Sequence, residues 1–275
     1  MKRLRFVYRM TLRYDPPIRR QRFTLKCLPV SSAVQRVETL TADVQPCVFL
    51  ERGTDGFGNA YCYGLSEGLI SCFAVTVQGS VLTGLAEAEA APPVHLLGPY
   101  RYPTALTRPG EAVARLAGEA GEADEPLAYA LRCMDVLSRR MAYVQGVTGM
   151  DTTAEQAAAL ERGVCQDMTH VLLAMLRLRR IACRYVCGMM AGEGESHAWA
   201  EVCVGDRWIA LDPTNRRQAD DGYIRLCAGR DAADCLINRG IVSGVAAQSS
   251  RISVSVCEEP VCAEEGAAIK EGSTP

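Results

Sequence analysis

From Leu4 to Tyr14 the chain alternates. Leu4, Phe6, Tyr8, Met10, Leu12 and Tyr14 fall on every second position, with Arg3, Arg5, Arg9 and Arg13 among the residues between them. A period of two is the pattern of a strand with one buried face. Pro16-Pro17 is expected to end this strand. Further strands are expected over 21–28, 33–43, 48–51, 59–65 and 69–82, with the Gly-rich stretch Asp55–Asn59 as the turn before the fifth. Six strands at short spacing predict an all-β unit, a small sandwich or open barrel, over residues 1–83.

The period then changes. Residues 84–125 carry Ala-Glu repeats, Pro92-Pro93 and several prolines up to Pro109 with no stable period, and are expected to be a linker. Helical signals begin after Pro109 and strengthen after Pro126. Leu127, Leu131, Met134, Leu137, Met141 and Val144 recur at three and four residues, one buried stripe of a helix. Thr153 and Gln156 form a capping box for a short helix over 154–161, which Gly163 is expected to stop. A third helix is expected over 165–178, with Met168, Val171, Leu172 and Met175 inward. Strands follow over 182–189, 197–204, 207–211 and 223–227. Helices followed by strands predict an α+β domain over 126–262, not alternating βαβ units. The polar residues Ala263–Pro275 are expected to be a disordered tail.

Composition narrows the function. A formal net charge of −2 gives no basis for a nucleic-acid partner. Nine Lys or Arg in residues 1–26 and five Glu from Cys257 onward read as a solvated strand face and an acidic tail. The alternating N-terminus lacks the apolar core of a signal peptide, and no run has the length of a membrane span, so a cytoplasmic protein is expected. In that compartment the 13 cysteines are reduced thiols and small core hydrophobes. Cys183 and Cys187 are the pair with metal-like spacing, but in a strand they stand about 13 Å apart. No Ca²⁺-loop pattern occurs either, and no metal or cofactor is expected.

Three residues carry candidate chemistry. Cys165 follows Gly163-Val164 at the start of the third helix, where backbone dipoles and unpaired N–H groups favour a thiolate and can face a developing oxyanion. Val204-Gly205-Asp206-Arg207 reads as a two-residue hairpin turn. Pairing outward from it sets Trp199 opposite Asp212 and makes His197 and Asp212 diagonal neighbours on one sheet face, roughly 7 Å apart at their backbones. A carboxylate so placed fixes an imidazole tautomer. The other histidines fit less well: His95 lies in the linker, and His170 is about 140° around the helix from Cys165. Gln166, Trp199, Arg230 and Asp231 are the candidates for substrate contact.

The segments Gly163-Val164-Cys165-Gln166-Asp167, His197-Ala198-Trp199-Ala200-Glu201-Val202 and Asp212-Pro213-Thr214-Asn215 resemble those of the transglutaminase-like superfamily of bacterial cysteine proteases. Thr152-Thr153-Ala154, the stretch 182–188 and Gly229-Arg230-Asp231 stand where that family has similar segments. Residues 1–83 resemble its β-rich N-terminal region. Two features depart from the family: Ala182-Cys183 in place of a common Pro-Ala, and the basic helix end Arg177, Arg179 and Arg180. The resemblance implies a papain-like α+β core with Cys165 as nucleophile, His197 as base and then acid, and Asp212 as orienting carboxylate. It further implies attack on a peptide or isopeptide amide of a peptide or protein substrate through a thioester. Hydrolysis is favoured over crosslinking, because water is always available and no amine site is legible. A non-catalytic peptide-binding scaffold and a redox thiol protein are the alternatives from other classes. The Gly- and Glu-rich stretch Met190–Glu195 is a candidate lid.

Overall fold

In the computed structural model, which describes residues 1–260, the alternating segment becomes a single strand, β1, over Lys2–Leu25. Its even-numbered residues Leu4 through Tyr14 are all buried. Pro16-Pro17 does not end it. The ladder between β1 and its neighbour shifts register between Arg13 and Ile18, so the prolines, which have no N–H to donate, sit in an irregularity inside a continuing strand. After β1 come β2 (Gln35–Gln45), β3 (Phe49–Thr54) and β4 (Ala60–Thr83). β4 runs through both of the strands expected over 59–65 and 69–82.

The segment expected to be a linker is structured. It contains β5 (Glu89–Ala90), α1 (Gly98–Arg101) and α2 (Glu111–Ala120), and α2 buries Val113, Leu116 and Ala120. Then follow α3 (Pro126–Arg140), β6 (Ala142–Tyr143), α4 (Ala154–Leu160), β7 (Arg162–Gly163) and α5 (Cys165–Leu178). The capping box forms as expected: the Thr153 hydroxyl accepts from Gln156 N–H, and Gln156 Oε1 accepts from Thr153 N–H at 2.9 Å. The stop is Glu161, at φ 51°, rather than Gly163. α5 spans the expected residues, but every side chain from Asp167 to Arg177 is buried, so it is a central helix with no solvated stripe. The strands β8 (Cys183–Met190), β9 (Gly192–Gly194), β10 (His197–Val204), β11 (Arg207–Asp212), β12 (Arg217–Gln218), β13 (Tyr223–Gly229), β14 (Asn238–Ser243) and β15 (Ala247–Glu259) complete the chain as described. The expected tail, Ala263–Pro275, lies outside the described residues.

Two sheets organise the molecule. One, in the order β12-β11-β10-β8-β13 with β5 on β11, is antiparallel and packs α5 against β10 and β8. The other has the order β2-β4-β1-β15-β9, with β3 on β4 and β14 on the second half of β1. The β-rich N-terminal region is therefore completed by late strands. β15 pairs with β1 from Arg3–Glu259 to Asp15–Ala247. β13, at the end of its own sheet, is held to the N-terminal region by two side-chain amides. Gln35 exchanges hydrogen bonds with both backbone groups of Arg225, at 2.9 Å each, and Asn59 does the same with Ala228 at 2.7 and 2.8 Å. These amides satisfy edge groups that burial would otherwise leave unpaired.

Candidate active site

Cys165 is the first residue of α5, and its position is fixed from below by Asp167. The buried Asp167 carboxylate accepts from Val164 N–H at 2.8 Å and from the Thr148 hydroxyl at 2.7 Å. It thus caps the helix from inside the first turn and ties the 148 loop to the same point. Gly163 is needed for space: a Cβ there would lie 2.6 Å from both Cβ and Oδ2 of Asp167. Burial raises the Asp167 carboxyl above the usual range, against the hydrogen bonds from Val164 and Thr148.

His197 opens β10 and Asp212 closes β11. The hairpin between them turns at Gly205, at φ 62°, and the ladder runs from Val204–Arg207 to Ala200–Leu211. That register carries Asp212 across from Trp199 and brings its Oδ2 to 2.7 Å from His197 Nε2. Asp212 is fully buried and heavily bonded. Thr214 and Asn215 N–H donate to Oδ1 at 2.9 and 3.1 Å. Asn215 Nδ2 and the Tyr223 hydroxyl donate to Oδ2 at 2.7 and 2.8 Å. Burial alone would raise its pKa, but the bond from His197, then those from Asn215 and Tyr223, hold the carboxyl below its ordinary range.

The ring of His197 and Cys165 line the same two recesses. With Nε2 committed to Asp212, Nδ1 is the nitrogen left for the sulfur. Burial disfavours the charged ring, yet hydrogen bonds to Asp212 and Cys165 outweigh it and lift His197 to about 9. The opposite holds at His170, which burial pushes down to about 4. Its Nε2 accepts from Ala232 N–H at 3.1 Å.

Cys165 and His197 sit where two recesses meet. One, of about 390 Å³, is walled by Tyr8, Met10 and Leu12 of β1 and by Ser250 and Ile252 of β15. The other, of about 520 Å³, is bounded by Tyr143, Gln145 and residues 190–196. Glu195 borders both; Glu193 adds a second carboxylate to the second recess, whereas Met10, Leu12 and Ile252 make the first largely apolar. Gln166 lines the first recess and donates to Met150 C=O at 3.3 Å. The remaining candidates for substrate contact are placed elsewhere. Trp199 is buried one step inward along β10, its ring 6.4 Å from that of His197 and 28° from parallel. Arg230 is paired with Asp234 at 2.8 Å. Asp231 is buried and accepts from Ala233 N–H at 2.9 Å. Arg230 and Asp231 thus build the turn after β13 and do not line either recess. The stretch 190–195 is not a free lid either, because β9 pairs with Val254–Val256 of β15.

Several groups at the site were not singled out from sequence. Asn215 had a signal, three residues after Asp212, but Tyr223 is eleven positions on and reaches Asp212 only through the order of the strands. The apolar wall from β1 and β15 had no local signal at all. Arg177, which reads as part of a basic helix end, is buried. It donates to the Thr107 hydroxyl at 2.6 Å and to the carbonyls of Cys183 and Arg230 at 3.1 and 2.6 Å. The twelve cysteines among the described residues are free thiols. No metal-binding cluster occurs among those residues, and no helix there is long and apolar enough to cross a membrane.

An α+β core with a thiol at a helix start and an imidazole–carboxylate pair at adjoining strand ends, behind a β-rich N-terminal region, defines the transglutaminase-like class of fold. The chain belongs to that superfamily. Residues 114–213 match the transglutaminase-like superfamily core, and residues 4–82 match the bacterial transglutaminase-like N-terminal region. An uncharacterized protein of Mycobacterium leprae is 32% identical over 164 residues, which span 56% of this chain and 58% of that one. An uncharacterized protein of Mycobacterium tuberculosis is 29% identical over an alignment covering 92% of this chain and 91% of its own. Among solved structures, the "Putative Cysteine Protease from Cytophaga hutchinsonii" shares the fold with a TM-score of 0.79 at 20% identity, covering 94% of this chain and 90% of that one.

Proposed function

We propose that this protein is a cysteine-dependent amide hydrolase that acts on peptide or isopeptide bonds through a thioester. The observation that carries the reading is the His197–Asp212 pair, 2.7 Å apart, opening with Cys165 onto the meeting point of two recesses. In this mechanism the Cys165 thiolate attacks the amide carbonyl while the proton resides on His197, which Asp212 stabilises as imidazolium. His197 then gives that proton to the leaving amine, and a water activated by the neutral imidazole opens the thioester. The start of α5 supplies backbone N–H groups for the oxyanion. Hydrolysis is preferred over amine transfer because water needs no dedicated site, and an amine acceptor entering the acidic recess is the second reading. The family and the shared fold support this chemistry without choosing between the two acceptors.

The test is iodoacetamide labelling as a function of pH, resolved for each cysteine, in wild type and in His197→Ala. An activated pair predicts dominant labelling at Cys165 below neutral pH and a marked slowing in the variant. Labelling spread evenly over the exposed thiols, or indifferent to His197, would sink the proposal in favour of a binding scaffold.

A further inference from the structure

The two recesses beside Cys165 present unlike surfaces to a substrate. The first is floored by one face of the sheet that holds β1 and β15, where Met10 stands opposite Ile252 and Leu12 opposite Ser250. Leu236 and Ile237, between β13 and β14, form another wall. Met10 and Leu12 are buried beneath, whereas Ile252, Leu236 and Ile237 are half-buried and leave apolar surface open to the recess. Open apolar surface is unfavourable in water, and here it gathers beside one thiol. The volume, about 390 Å³, is at the low end for ligand sites and fits one large side chain with the backbone next to it.

The second recess is bounded by residues 191–195, all of them exposed. Its carboxylates, Glu193 and Glu195, have no ion-pair partner among the described residues, and no Lys or Arg among those residues lines either recess. The two products of amide cleavage need different surroundings. The amine departs and takes up a proton, while the acyl part stays bonded to Cys165 until water arrives. An open rim with unpaired carboxylates suits the departing ammonium and the incoming water. The apolar recess suits the part that stays.

We propose that the first recess selects the acyl part of the substrate, taking a large aliphatic or aromatic side chain on the residue that supplies the scissile carbonyl. Burial of that side chain against Ile252, Leu236 and Ile237 supplies the preference. A carboxylate in its place meets apolar surface and Glu195, with no cation to pair it. This selection rests on the amide-hydrolase reading of Cys165.

The N-acetyl chloromethyl ketones of leucine, phenylalanine, alanine and glutamate carry the acyl part in a form that the Cys165 thiolate alkylates directly, displacing chloride. The rate at Cys165 with each probe is divided by the iodoacetamide rate of the same full-length protein, so that thiol reactivity cancels. The leucine or phenylalanine ratio should exceed the alanine ratio by about tenfold or more, with glutamate lowest. Ile252→Arg sets a cation on the apolar wall. It should lower the leucine and phenylalanine ratios and raise the glutamate ratio by about tenfold. Ser250→Trp, at an exposed position that lines the first recess and not the second, should fill it and bring the leucine and phenylalanine ratios down to that of alanine. Equal ratios for the four probes in wild type, or ratios indifferent to both variants, overturn the selection while dominant iodoacetamide labelling of Cys165 leaves the hydrolase reading standing. A Cys165 without that labelling overturns both.

Discussion

Asp212 illustrates how much of a buried carboxylate's behaviour is set by the groups packed around it. His197, Asn215 and Tyr223 side chains and two backbone N–H groups converge on it, so its charge is retained in full burial. Asp212→Asn keeps the shape but removes that charge. His197 should then lose its proton near or below its ordinary value instead of at about 9, and turnover should fall by about 10²–10⁴. NMR titration of the imidazole and steady-state kinetics check the two halves separately. Tyr223→Phe removes one donor and should cost about 1 kcal/mol of stability, with the fold intact by circular dichroism. The pH dependence of stability follows from the same pair. His197, raised in the folded state, contributes stability that is complete below its ordinary value near 6.5 and is lost as pH rises through about 9. Asp212, lowered in the folded state, contributes stability present above its ordinary 3.8 and lost as pH falls through its depressed value. Denaturant melts from acid to alkali should show both limbs, and His197→Ala should flatten the alkaline one. At this scale the sequence made Cys165, His197 and Asp212 stand out because each lies beside a helix start, a turn or a strand end. It did not reveal Tyr223, whose contact depends on which strands adjoin.

Helix α5 and the β10–β11 hairpin were readable for the same physical reason: their determinants are local. A 3.6-residue period with a capped start fixes the helix, and a Gly-Asp turn fixes the register that sets His197 against Asp212. The start of α5 is also where a small change should have a large effect. Gly163→Ala forces a methyl against Asp167 and should destabilise by about 1–3 kcal/mol. Asp167→Ala removes the acceptor for Val164 N–H and should cost a similar about 1–3 kcal/mol. Thermal melts measure both losses. If the Asp167 contacts position the thiol, Cys165 labelling should also slow in each variant at a temperature where both remain folded. What was not readable in these elements was partnership. Trp199, Arg230 and Asp231 occupy the expected segments, yet Trp199 is buried, Arg230 is paired with Asp234 and Asp231 accepts from Ala233 N–H. The segment 84–125 lacks a long period because its elements are short, but α2 still buries Val113 and Leu116.

At the level of the whole molecule, strand pairing crosses the expected boundary near residue 83. The sheet begun by β1 and β4 is completed by β14 and β15, and its amides Gln35 and Asn59 hold β13. β1 and β15 also wall the recess beside Cys165. A fragment of residues 1–83 should therefore fail to fold alone, remaining aggregated or without a cooperative melt. Adding residues 84–260 should restore one transition. A soluble fragment with its own sharp melt would contradict this. Strand pairing across such a separation leaves no local trace, since the alternation in 247–259 fits any antiparallel partner equally well.

The ladder from Arg3–Glu259 to Asp15–Ala247 also has a consequence during synthesis. β1 and β4 leave the ribosome early, but the edge of β1 that β15 will occupy must wait for some 160 further residues. At about 5–20 residues per second that is roughly 10–30 s with an open, half-apolar strand edge facing solvent. Such an edge invites pairing with other nascent chains, so the yield of native protein in the cell should depend on translation speed and on chaperones that shield strand edges until the last strand arrives.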